Sequence, residues 1–77
     1  MMEYIGDLSG SDRSVLIDYA RQATTILEFG AGASTQIFAH NAPPQATVWC
    51  VETEPVWVSR TQENLSRLGI TRSVQFL

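Results

Sequence analysis

Lysine is absent from this chain, cysteine and histidine occur once each, and no long apolar run is present. Each scarcity excludes something. The five basic residues are all arginines and face eight acidic ones, for a net charge of −3. That balance leaves no basic patch for a phosphate backbone, so no nucleic-acid partner is indicated. Without lysine there is no Gly-Lys-Ser/Thr phosphate loop. Cys50 has no partner for an internal disulfide, and with His40 alone it makes no Cys/His metal cluster. No stretch nears the roughly 18 apolar residues that span a bilayer, so no membrane partner is expected. The start, Met1-Met2-Glu3-Tyr4, has no basic segment leading into an apolar core, as a secretion signal would. A cytoplasmic, reducing location is the resulting expectation.

What is present reads as one small α/β domain. An apolar share of 44% is ordinary for a globular chain, and 77 residues bury only about 60% of their unfolded surface. Residues 1–10, with Gly6, Ser9 and Gly10, read as a flexible lead-in to a domain over 11–77. Ser11 or Asp12 resembles an N-cap, and Val15, Leu16, Tyr19, Ala20 and Ala23 follow at helical spacing. This predicts a helix over roughly 12–23. Thr25-Ile26-Leu27-Glu28-Phe29 reads as a buried strand. Ser34 or Thr35 then caps a helix carrying Ile37, Phe38 and Ala39, which Pro43 and Pro44 end. Thr47-Val48-Trp49-Cys50-Val51 is apolar at successive positions, as in a strand covered on both faces. Pro55 opens a third helix with Val58, Thr61, Leu65 and Leu68 in phase and Gly69 as its C-terminal cap. Ser73-Val74-Gln75-Phe76-Leu77 begins a third strand.

The order helix-β-α-β-α-β implies a parallel sheet with right-handed crossovers. Its strand order would be 3-2-1, half of a doubly wound sheet. The first strand then keeps one unpaired edge, which invites association. The expectation is a truncated sheet, its edge covered either by a C-terminal half in a longer protein or by a second copy in a homodimer.

Ligands of open α/β sheets bind at the carboxyl ends of the strands. There the sequence places Glu28, the turn Gly30-Ala31-Gly32 and the hydroxyls of Ser34 and Thr35. Gly30 and Gly32 are expected to allow positive φ and close backbone approach. The following helix start offers free N–H groups. Glu52-Thr53-Glu54 ends the second strand, and Glu52 follows Gly30 at close to the offset of about 20 residues of an acid that grips ribose hydroxyls. A dinucleotide fingerprint would need glycine where Thr35 stands. Glu28 also gains nothing beside a pyrophosphate, whereas a cofactor carrying sulfonium and ammonium charge suits it.

Leu27-Glu28-Phe29-Gly30-Ala31-Gly32-Ala33-Ser34-Thr35 resembles the first motif of class I S-adenosylmethionine-dependent methyltransferases, an acidic residue followed by Gly-x-Gly-x-Gly. Val51-Glu52-Thr53-Glu54-Pro55-Val56-Trp57 resembles their second motif. The resemblance runs over about residues 11–77 and implies the N-terminal part of a Rossmann-like domain. It implies S-adenosylmethionine as cofactor. Glu28 would face the methionine part, and the backbone of Gly30, Ala31 and Gly32 would lie against the cofactor. Ser34 stands at the third glycine position, Glu52 would hold the ribose hydroxyls, and Thr53 would lie beside the adenine. The implied reaction is methyl transfer from the sulfonium to an acceptor, unidentified here, by a longer parent enzyme. The family's acceptor-binding and catalytic residues have no counterpart in this chain, so no catalytic residue is assigned and the 77 residues alone are expected to be inactive.

Two other readings stay open. One is the NAD(P)- or flavin-binding half of an oxidoreductase, which Thr35 and Glu28 disfavour. The other is a non-catalytic α/β interaction or dimerisation module. Among single residues, His40 reads as structural, Trp49 as core, Trp57 as helix packing and Cys50 as a small buried hydrophobe. Glu54 reads as a charge favoured at a helix N-terminus.

Overall fold

Apolar spacing and glycine or proline punctuation sort the chain into six elements in a computed structural model, which describes residues 2–6 and 8–77. These are α1 (Gly10–Gln22), β1 (Thr25–Phe29), α2 (Ala33–Asn41), β2 (Thr47–Val51), α3 (Pro55–Arg67) and β3 (Val74–Phe76). The strands are parallel in the order β1-β2-β3, the expected half of a doubly wound sheet. Register pairs Glu28 with Cys50 and Phe29 with Val51, so β1 and β2 end level with each other.

Two caps differ from the sequence expectation. Ser9, not Ser11 or Asp12, caps α1: its hydroxyl accepts from the Asp12 N–H at 3.1 Å. Gly32 caps α2, and Thr35 reaches back to accept the Gly32 N–H at 3.1 Å. In both helices the hydroxyl that bonds a main-chain N–H lies three residues from it, and sequence alone does not say in which direction the bond runs. At the end of α3, Gly69 has φ +71. The Gly69 N–H donates to Ser66 O and the Ile70 N–H to Leu65 O, the paired bonds of a Schellman ending.

The core lies between α2 and one face of the sheet. Ala42, Ala46 and Val48 are buried there, with Ile26, Phe38 and Val74 packed against them. By strand alternation Glu28 and Cys50 share that face. The opposite face carries Leu27 (55% exposed) and Phe29 (78% exposed), with Trp49 only half-buried. The reading of β2 as covered on both faces and of Trp49 as core is thus corrected, because among the described residues no helix packs there. Trp57 is also exposed, and the Arg60 guanidinium lies 5.2 Å from its ring centroid.

Residues 2–6, read as a flexible lead-in, lie along α2. Tyr4 is buried, its hydroxyl 2.8 Å from His40 Nδ1, and Asn41 Nδ2 donates to that hydroxyl at 2.7 Å. The Ile5 N–H donates to Gln36 Oε1 at 2.7 Å, and Gln36 Nε2 returns a bond to Ile5 O at 2.8 Å. At the far end of the sheet Arg72 donates to the carbonyls of Ala39, Ala42, Pro43 and Ala46, tying the start of β3 to the end of α2.

Candidate functional site

The level ends of β1 and β2 decide where the two acidic motifs meet. The Gly30 N–H extends the ladder by one bond to Val51 O at 2.8 Å. The chain then turns away at Gly30, whose φ of +91 is a region that L side chains rarely adopt. Gly32 departs from expectation: its φ of 174 is extended backbone open to any residue. A Cβ built on Gly32 would also meet nothing within 4 Å. Neither conformation nor packing within the chain calls for glycine at that position. What a side chain would fill there is open space in front of the turn.

Glu52 stands just past β2 and ties the two turns together. Its Oε1 accepts from the Ala31 N–H at 2.8 Å, and its Oε2 accepts from the Glu54 N–H at 2.9 Å. These main-chain donors, Ala31 first, hold its carboxyl below the usual carboxylate range. Two of the roughly four acceptor positions of a carboxylate are used in this way. Thr53 follows on the exposed lip of the turn.

Glu28 sits below the glycine turn on the helix-covered face. The Ser34 hydroxyl donates to its Oε2 and the Thr35 hydroxyl to its Oε1. Burial pushes the Glu28 carboxyl up, while the bonds from Ser34, Thr35 and the Cys50 thiol pull it down by less. Cys50, fully buried, is pushed up to about 11 by burial and then by the Glu28 charge. The structure therefore gathers Glu28, Gly30, Ala31, Gly32, Ser34 and Glu52 at one end of the sheet, with Thr53 on its rim.

Thr35 and Cys50 belong to the same cluster, although the sequence reading gave them only capping and packing roles. The missing signal was strand register, which sets Cys50 directly beside Glu28. His40 lies at the other end of α2, where it holds Tyr4. A hollow of about 670 Å³ opens at that other end too, beside Arg72, whose donors are turned onto carbonyls. Among the described residues no three His, Cys, Asp or Glu side chains are grouped to hold a metal ion, and no helix is long and apolar enough to cross a membrane.

No family model matches the chain, and no curated protein matches it. Solved structures do. The chain is similar to the O-methyltransferase TomG from Streptomyces achromogenes, involved in tomaymycin synthesis and solved in complex with SAM. The identity is 27% and the TM-score 0.77, over 91% of this chain and 33% of that one. It is similar to a putative O-methyltransferase from Klebsiella pneumoniae, with 25% identity and a TM-score of 0.80, over 99% of this chain and 36% of that one. A cofactor-bound protein from MTB matches with 30% identity and a TM-score of 0.77, over 99% of this chain and 36% of that one. The chain thus spans about a third of the length of these structures.

Proposed function

We propose that this chain, whose fold is that of the N-terminal part of the class I S-adenosylmethionine-dependent methyltransferases, holds S-adenosylmethionine at the carboxyl ends of β1 and β2. Residues 11–77 would then be the cofactor-binding segment of a methyltransferase. The observation that carries this reading is Gly32. Its glycine is demanded by neither φ nor packing, and it leaves a clear approach to a turn flanked by two carboxylates.

When bound, the cofactor supplies a methyl group made electrophilic by its sulfonium. The residues of this chain bind and orient. Gly30, Ala31 and Gly32 let a flat ligand lie against the backbone. Glu52 keeps free lone pairs for two ribose hydroxyls, and charge-assisted bonds of that kind are the stronger ones. Thr53 lies beside the adenine. Glu28, steadied by Ser34, opposes the positive charge of the methionine part. None of these groups is assigned to take a proton from the acceptor, so their contribution is proximity and orientation. The 77 residues alone are therefore expected to bind only weakly and without turnover. The acceptor is left unspecified, and further chain or a second copy would cover the β1 edge.

Titration calorimetry of the chain tests this, with S-adenosylhomocysteine against NAD. Binding of the first and not the second is expected. Gly32→Ala should weaken that binding while leaving the melting temperature within a degree or so, since the added Cβ meets no protein atom within 4 Å. Binding of NAD instead would move the chain to the oxidoreductases. Binding of neither would favour an interaction module.

A further inference from the structure

We propose that Thr35 is a positioning residue that couples Glu28 to the glycine turn, one hydroxyl setting both the place of the carboxylate and the shape of the turn. The coupling stands on the geometry of the chain. Its effect on ligand affinity rests on the reading of this turn as a cofactor site.

Thr35 is 0% exposed. Its Oγ1 accepts the Gly32 N–H at 3.1 Å and donates to Glu28 Oε1. A hydroxyl has one proton and two lone pairs, so both bonds can be held at once, the proton toward the carboxylate and a lone pair toward the N–H. The Gly32 N–H is one of the four donors at the start of α2 that no helical carbonyl satisfies. Glu28 belongs to β1 and Gly32 to the turn beyond it. No bond other than that through Thr35 joins this carboxylate to the turn's main chain among the described residues. Ser34 also donates to Glu28, but it is only half-buried and makes no bond to the turn. Its hydroxyl can be replaced by water at the mouth of the site. That of Thr35 is fully buried between the two half-buried groups it joins, so water does not take its place without opening the packing around it. The other titratable groups near this carboxylate are Cys50, which faces it from β2, and Glu52 just beyond.

Thr35→Val removes the hydroxyl at nearly constant shape, and Thr35→Ser restores it. The first measurement needs no ligand: carbon NMR titration of the Glu28 carboxyl, together with the amide resonance of Gly32. In Thr35→Val the carboxyl should titrate at higher pH than in the parent chain and the Gly32 amide should shift. Thr35→Ser should return both to the parent values. Ser34→Ala should move the Glu28 titration and leave the Gly32 amide in place. With S-adenosylhomocysteine, affinity should fall roughly five- to tenfold in Thr35→Val and recover in Thr35→Ser.

A folded Thr35→Val chain with unchanged Glu28 titration and an unchanged Gly32 amide would overturn the coupling. If Thr35→Val does not fold, hydrogen exchange in the parent chain decides: a Gly32 amide that exchanges as fast as an exposed one overturns it, and a protected one supports it. A parent chain that binds no S-adenosylhomocysteine but shows the NMR coupling removes the cofactor reading and leaves the coupling in place. One that binds it equally well with and without the Thr35 hydroxyl removes the coupling's effect on affinity and leaves the cofactor reading in place.

Discussion

Glu28 and Glu52 share one end of the sheet, yet folding moves their carboxyls in opposite directions. Main-chain donors depress Glu52. Its ionised form is favoured by folding, so its contribution is full above the ordinary carboxyl value and is lost as pH falls through the lowered one. Burial raises Glu28. Its protonated form is favoured by folding, so that contribution is full below the ordinary value and is lost as pH rises through the raised one. Glu52→Gln should therefore lower the melting temperature at pH 7, with the difference closing in acid. Glu28→Gln should raise it at pH 7, with that difference also closing in acid. Melting curves by circular dichroism across pH check both signs. Cys50 is tested separately. A thiol buried beside a carboxylate and held up to about 11 should react with a disulfide reagent at pH 8 far more slowly in the native chain than after unfolding. Equal rates would show that the thiol is open to solvent.

The connection between α2 and β2 depends on an element distant in sequence. Arg72, just before β3, spends its guanidinium on the carbonyls of Ala39, Ala42, Pro43 and Ala46. A helix C-terminus leaves carbonyls such as those of Ala39 and Ala42 unpaired, and proline at 43 and 44 rules out continuing the helix to satisfy them. Arg72→Met should cost about 2–3 kcal/mol, seen as a lower urea midpoint with an unchanged slope. Arg72→Lys should recover little, because an ammonium lacks the planar fork that reaches four oxygens. A loss under about 0.5 kcal/mol, the level of an ordinary surface substitution, would show that the clamp is dispensable. The helix starts show the same dependence on tertiary contacts. Ser34 and Thr35 were legible as hydroxyls at the head of α2. That they serve Glu28, with Gly32 as the cap, follows only once β1 is laid beside the helix.

At the scale of the molecule, a single layer of helices covers one face of a three-stranded sheet. A chain this short draws only about 3–5 kcal/mol from one core. The other face turns Leu27 and Phe29 outward, with Trp49 between them and Gln75 by register and Leu77 at the end of the chain 65% exposed. Contiguous apolar surface beside an open strand edge favours association. The chain should associate with rising concentration in size-exclusion chromatography with light scattering. Leu27→Ser combined with Phe29→Ser should weaken that association without changing the far-ultraviolet spectrum. A monomer at every concentration would mean that this face tolerates water.

Sequence by itself determined the element order, the parallel three-strand topology and the end of the sheet where the acidic and glycine motifs gather. Those depend on local spacing, on proline and glycine at element ends, and on the single hand that parallel crossovers adopt. Tertiary structure alone decided that Thr35 serves two partners, that Tyr4 docks on His40, that Arg72 clamps the end of α2 and that one sheet face stays bare. Each of these is a contact or a missing cover between residues far apart along the chain. Burial and hydrogen-bond geometry across the fold select such pairs, and residue spacing carries no record of them.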